Sequence, residues 1–191
     1  MRLLTPVSLL PLLGVALTLA CSDATSPAGA AGPAFSAGGR AGFGFNGTAS
    51  GFPTGVVRLT GGGSFDPATA SNVVPAETSV HSAGGFDCVG VTIAQGPLTG
   101  CADGEGVRWD TAQLLKSIMF KCTGADAPKP AVTDDRTAVL LADFYRAGDG
   151  DEQSFTAQVI VADRDLAPEL PGVQNFWVQG VGCGTAIVNF N

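Results

Sequence analysis

From Arg40 to the C-terminus the chain is a succession of short runs in which apolar and polar positions alternate, each closed by Gly, Pro, Asp or Asn. Period-two alternation between turn residues is the signature of strands with one covered face. It predicts strands over 41–48, 55–65, 79–88, 117–122, 137–146, 153–163 and 173–190, the last interrupted at Gly182–Gly184. In the 137–146 run Ala138, Leu140, Ala142 and Phe144 make one apolar face, while Val139 and Leu141 make the other face apolar as well. Such a strand is expected to be covered on both sides for part of its length. Ala147-Gly148-Asp149-Gly150-Asp151-Glu152 follows, and then Phe155, Ala157, Val159 and Val161 alternate, so 137–163 reads as one hairpin. One segment departs from the pattern. Asp110, with Gln113 three positions on and then Leu114, Leu115 and Ile118, predicts an N-capped helix of two turns. The expected class is all-β, an antiparallel sandwich or barrel of about seven strands with one short helix.

Composition agrees with that class. Twenty-seven Gly and 12 Pro would interrupt any long helix, while a 45% apolar fraction argues against a disordered chain. Ten Lys and Arg stand against 17 Asp and Glu, a net charge of -7 with the acids scattered along the chain. With no basic stripe to neutralise phosphates, nucleic acid is excluded as a partner.

The N-terminus reads as an address. Arg2 is the only charge among the first 22 residues, and an apolar stretch runs from Leu3 to Ala20, containing Pro6, Pro11 and Gly14. A positive start, a greasy middle and a small residue at the end are the parts of a signal peptide. Leu17-Thr18-Leu19-Ala20-Cys21 resembles the lipobox of bacterial lipoproteins, with Thr18 and Leu19 departing from the commonest aliphatic-then-small order. The resemblance implies removal of residues 1–20, acylation of Cys21, and a cell-envelope protein held to the membrane by its N-terminal lipid. Ordinary secretion after cleavage near Ala28-Gly29-Ala30 is the alternative. Residues 22–39, rich in Ala, Gly, Pro and Ser without periodicity, read as a flexible tether. Residues 40–191 then make a single β-rich domain. The stretches VVRLTGGGSFD (56–66), GVRWDTAQLL (106–115) and NFWVQGVGCG (175–184) look like those of secreted bacterial domains of uncharacterised type, a likeness that implies no activity.

Export makes disulfides the default for the remaining Cys88, Cys101, Cys122 and Cys183, which allow three pairings. Cys88 with Cys101 and Cys122 with Cys183 is favoured, the first closing a Gly/Pro-rich excursion and the second tying mid-chain to the C-terminal strand. Zinc is disfavoured, because the sequence has neither CxxC nor a neighbouring Cys-His spacing.

Candidate chemistry is sparse. Gly42-Phe43-Gly44-Phe45-Asn46-Gly47 matches GxGxxG, but Thr48 to Pro53 cannot start the helix a dinucleotide site needs, so it reads as a Gly-rich strand. His81 is the only imidazole. Ser79, Ser82 and Asp87 are near it in sequence, yet adjacent strand residues face opposite ways and no GxSxG elbow exists. Asp143, Asp163 and Asp165 fall on neighbouring predicted strands or at their ends, without a spacing that selects a catalytic pair. Asp149, Asp151 and Glu152 place hard oxygen ligands on a Gly-containing turn that would suit calcium, although a solvated Asp-Gly turn explains the same residues. Over 173–179, alternation puts Phe176 and Val178 toward the core and Asn175, Trp177 and Gln179 on the other face. An indole flanked by two amides is what a surface needs to stack on a sugar ring, and a Trp covered by a second layer fits the same pattern. No catalytic constellation emerges, and no cofactor beyond that calcium site. The expectation is a non-catalytic binding or structural module meeting an envelope protein or glycan. A lipocalin-like carrier of small ligands, with room made by Gly61, Gly63, Ala142 and Ala157, is the alternative, and a hydrolase working through His81 is a second.

Overall fold

The computed structural model describes residues 39–51 and 55–191. The strands are β1 (Ala41–Gly51), β2 (Val56–Phe65), β3 (Val80–Val89), β4 (Gly106–Leu114), β5 (Ser117–Phe120), β6 (Lys129–Val132), β7 (Thr137–Arg146), β8 (Phe155–Ala162), β9 (Phe176–Val178) and β10 (Gly182–Phe190). Eight of them close into an antiparallel barrel in the order β1-β10-β9-β8-β7-β4-β3-β2, and β5 and β6 pair separately. Between sandwich and barrel, the chain is therefore a barrel, with one strand more than the seven expected and a small extra sheet. First and last strands close it over a long register, from Phe43 opposite Phe190 to Gly51 opposite Gly182. Closure removes the free sheet edges on which other chains add strands.

The helix expected from Asp110 is absent. Asp110 to Leu114 are the end of β4, where the pairing with β7 slips between Thr111 and Gln113, and Ile118 belongs to β5. The inserted Ala112 breaks the period of two, so that Leu114 faces the barrel core and Leu115 the outer layer, which mimics helical spacing in the sequence. Gln113 is not a cap. Its buried amide donates to the Ser71 and Val73 carbonyls, both at 2.8 Å, and accepts from the Ala76 N–H at 3.2 Å, pinning the β2–β3 connection. Replacing Gln113 with Leu is expected to cost about 2 kcal/mol by orphaning those groups. Hydrogen exchange should then accelerate in residues 71–76, and unchanged protection there would contradict the assignment. The only helical turn among the described residues is a 3-10 turn at Pro67–Thr69, capped by Asp66.

Inside the barrel, alternation delivers aromatic side chains from nearly every strand. Phe43, Phe45, Phe65, Phe86, Trp109, Phe144 and Phe176 all belong to one buried cluster, and Phe190 packs against it. Phe45 lies 5.8 Å from Trp109 and 5.5 Å from Phe176 by ring centroids, Phe43 lies 5.6 Å from Phe65, and Phe86 meets Phe144 edge-on at 5.1 Å. An eight-stranded barrel is just wide enough to be filled by its own side chains. Glycines make the space. Gly61 pairs with Gly84, and Gly84 with Trp109, so the indole lies beside two strands that carry no side chain there. A Cβ on Gly61 would fall 2.7 Å from the Trp109 ring. The indole N–H donates to the Thr60 carbonyl at 3.0 Å.

The barrel end at β3–β4 is stoppered. Residues 90–101 carry Ile93 and Leu98 into the core cluster, and the Cys88–Cys101 disulfide closes their loop. The loop reaches the β9–β10 turn, where Gly96 and Gly180, both with positive φ, approach so closely that a Cβ on Gly96 would stand 2.4 Å from Gly180 Cα. Its base is fastened by Glu105, which accepts from the Ala102 N–H at 2.8 Å and pairs with Arg146 at 2.7 Å. The Ala102 hydrogen bond, and then Arg146, hold the Glu105 carboxyl below the usual carboxylate range.

A second core lies outside the barrel wall. Val139, Ile160, Trp177 and Cys183 point outward from β7, β8, β9 and β10, and an arm formed by residues 115–133, including β5 and β6, covers them with Leu115, Phe120, Cys122, Ala125 and Ala131. The segment 164–175 adds Ala167 and partly buried Leu166 and Leu170. This layer explains why β7 is apolar on both faces, as its sequence indicates. The Cys122–Cys183 disulfide ties the arm to β10. Both disulfides have the pairing favoured from sequence, and they fit an oxidising compartment. No helix among the described residues is long and apolar enough to cross a membrane.

Candidate functional site

The Trp177 face is where alternation puts it, outward between inward-facing Phe176 and Val178, but it is not open to solvent. Trp177 is 6% exposed, packs edge-on against Phe120 at 6.1 Å and donates its indole N–H to the Lys121 carbonyl at 3.3 Å. Asn175 is buried and clasps the Ala186 backbone, accepting from its N–H at 2.7 Å and donating to its carbonyl at 3.0 Å. Gln179 accepts from the Gln158 N–H at 3.1 Å. The three amphipathic side chains expected to form a sugar platform thus serve the fold instead. The cover over Trp177 comes from a segment 56 residues away in the chain, beyond any local sequence signal.

His81 is exposed on the outer face of β3, opposite Ser64 on β2. Ser82 turns the other way and shares a hydrogen bond with the Thr111 hydroxyl, bridging β3 to β4. The backbone N–H of Ser79 donates to Thr69 at 2.8 Å, and Asp87 stands opposite Arg58. Among the described residues, no side-chain hydrogen bond joins the His81 imidazole to a serine or a carboxylate. The acids are likewise engaged separately. Asp143 accepts from the Thr156 hydroxyl at 2.8 Å, Asp163 pairs with Arg136, and Asp165 accepts the N–H groups of Ala167 and Gln174 at 3.0 and 3.1 Å.

Asp149, Asp151 and Glu152 occupy the β7–β8 turn as expected. Asp149 accepts from the Ser154 hydroxyl at 2.6 Å, Asp151 reaches Arg108 at 3.2 Å, and the Glu152 N–H donates to the Asp149 carbonyl at 3.2 Å. The turn is therefore ordered by its own contacts, and no three potential ligands gather among the described residues. Gly42 to Gly47 lie within β1, as a Gly-rich strand. Cys21, the cleavage site and most of the tether fall outside the described residues.

Two features had no sequence signal. The first is a surface cluster on β4 and β7, where the Arg108 guanidinium sits 4.0 Å over the Tyr145 ring and pairs with Asp110 at 3.7 Å. Burial, and then the neighbouring Asp110, raise the Tyr145 hydroxyl above its ordinary value. Reading 106–114 as a strand would have put Arg108 and Asp110 on one face. The second is a cleft of about 600 Å³ beside the Cys122–Cys183 disulfide, between the arm, the 164–175 segment and the β1–β10 pair. Thr48 and Ser50 of β1 with Gly184 and Thr185 of β10 form its floor, and Thr123, Leu170, Pro171 and Gln174 its walls. These residues come from four separate stretches of chain, which only the closed barrel brings together.

Compared with protein-family models, with curated proteins and with solved structures, the chain finds no match in any of the three.

Proposed function

We propose that the protein is a cell-envelope lipoprotein, anchored through acylated Cys21 and set off from the membrane by residues 22–39, whose barrel is a non-catalytic module that binds through its outer surface. The observation that carries the module over a lipocalin-like carrier is the occupancy of the barrel axis. A carrier needs a cavity framed by small inward residues. Here the room beside Gly61 is taken by Trp109, aromatic rings meet from both sides, and Ile93 and Leu98 stopper one end. The isolated imidazole of His81 favours binding over hydrolysis. The disulfides favour an exported chain, and the resemblance of residues 17–21 to a lipobox favours the lipid anchor.

The test is to express the full chain in a bacterial envelope, release it with mild detergent and take its native mass beside that of Cys21→Ser. The expected result is a diacyl- or triacyl-bearing chain with two disulfides and no retained small molecule. Cys21→Ser should leave the membrane fraction. An apolar small molecule retained one per chain would instead support the carrier, and an unmodified mature chain starting near Ala30 would support plain secretion.

A further inference from the structure

The cleft beside Cys122–Cys183 has a donor and acceptor pattern that selects a class of ligand, and we propose that it binds a neutral, hydroxyl-rich saccharide chain. This rests on the binding-module reading and names that module's partner. None of the residues lining the cleft is ionisable apart from the bonded cysteines, so it offers no counter-charge to a phosphate, carboxylate or ammonium group. Nor does it offer a strand edge. β1 is hydrogen-bonded to β2 on one side and β10 on the other, which leaves no free ladder for an extended peptide. Recognition must come from side chains.

Those side chains present fixed acceptors beside free hydroxyls. Thr123 commits its hydroxyl hydrogen to the Gly51 carbonyl and Thr185 commits its own to the Val173 carbonyl, each at 2.6 Å, so both oxygens turn lone pairs to the cleft. Gln174 donates its amide N–H to the Pro171 carbonyl at 3.2 Å, which leaves its amide oxygen as a further acceptor. Thr48 and Ser50, exposed on β1, make no side-chain hydrogen bond among the described residues and supply donors as well. Thr48 stands directly opposite Thr185 across the β1–β10 pair. Sugar hydroxyls, each both donor and acceptor, match such a mixed set, while Leu170 and Pro171 give an apolar wall for ring C–H groups. The disulfide and the two threonine hydrogen bonds hold the walls in place before any ligand arrives, which limits the ordering cost of binding. With no aromatic plate in the lining, the affinity is expected to be modest, on the order of 0.1–1 mM for a short oligosaccharide.

The test is calorimetric titration of the full chain in detergent with maltohexaose, cellohexaose and an N-acetylglucosamine hexamer, and with oligogalacturonate as a charged counterpart. At least one neutral oligomer should bind, with little dependence on salt. Thr48→Val, which preserves the β-branched shape, and Ser50→Ala should each weaken it about fivefold at unchanged melting temperature, and their combination more. Trp177→Phe should leave it unchanged. Absence of binding by every neutral oligomer, binding indifferent to the Thr48 and Ser50 substitutions, or a salt-sensitive preference for oligogalacturonate would each overturn the proposal. Failure in any of these ways leaves the native mass described above unaltered, so the module reading is judged separately.

Discussion

Trp109→Ala is expected to lower the free energy of unfolding by about 3–5 kcal/mol, the range for removing a fully buried aromatic side chain. Trp109 is 1% exposed, and its ring fills the space that Gly61 leaves empty beside the paired Gly84. The surrounding backbone cannot collapse inward, because a paired sheet holds it on both sides, so most of the cavity would persist. The substitution also removes the donor to the Thr60 carbonyl and the ring against which Phe45 packs. Urea unfolding measures the effect. Trp109→Phe should recover part of the loss by refilling volume without the hydrogen bond. A cost below about 1 kcal/mol for the alanine variant would mean that the indole is not the central filler of the barrel.

The second large effect concerns the outer layer. Replacing Cys122 and Cys183 together by Ser is expected to destabilise the protein by about 4 kcal/mol, since the disulfide closes a long loop in the unfolded chain. The sequence separation it spans is 61 residues. The change should be felt first in the arm, whose remaining attachments to the barrel include the packing of Leu115, Phe120 and Ala131, the backbone of Val139 bonded to Thr133 and Leu115, the Trp177 indole on the Lys121 carbonyl and the Thr123 hydroxyl on the Gly51 carbonyl. Trp177 would then gain solvent. Tryptophan emission should shift to the red in the double variant, and protease should cut within 115–133 before the barrel strands. Unchanged emission would mean that packing and hydrogen bonds hold the arm in place without the disulfide.

How much of this was legible in the chain depends on how far away the deciding contacts lie. The β7–β8 hairpin is written in local alternation around an Asp/Gly turn, and it is present with Thr137 opposite Ala162 and Phe144 opposite Phe155. The second apolar face of β7 announced an outer layer without naming what forms it. β4 was hidden by the bulge at Ala112, which replaces a period of two by a spacing that resembles a helix. β6 was hidden by Pro130, a residue that demotes a strand in any local reading yet is tolerated in a two-stranded sheet. The strand interruption after Trp177 comes at residues 179–181, around the positive φ of Gly180, while Gly182, also at positive φ, is already paired with Val178 as the first residue of β10. Trp177 was placed on the correct side of its strand, but local pattern cannot distinguish an outward face that meets water from one that meets another part of the chain. The hydroxyls of the cleft belong to the same difficulty. Thr48, Thr123 and Thr185 are ordinary surface residues until closure of the barrel sets them around one space.

A solid barrel has no room for an apolar guest, and titration of the detergent-solubilised full chain with a long-chain fluorescent fatty acid shows whether this barrel admits one. Trp109 serves as the internal reporter, since its ring borders the axis. With Trp177→Phe removing the outer indole, the expected result is no saturable uptake and no quenching of Trp109 emission. Stoichiometric uptake with loss of Trp109 emission would contradict it, because the aromatic rings would then have to part around a ligand.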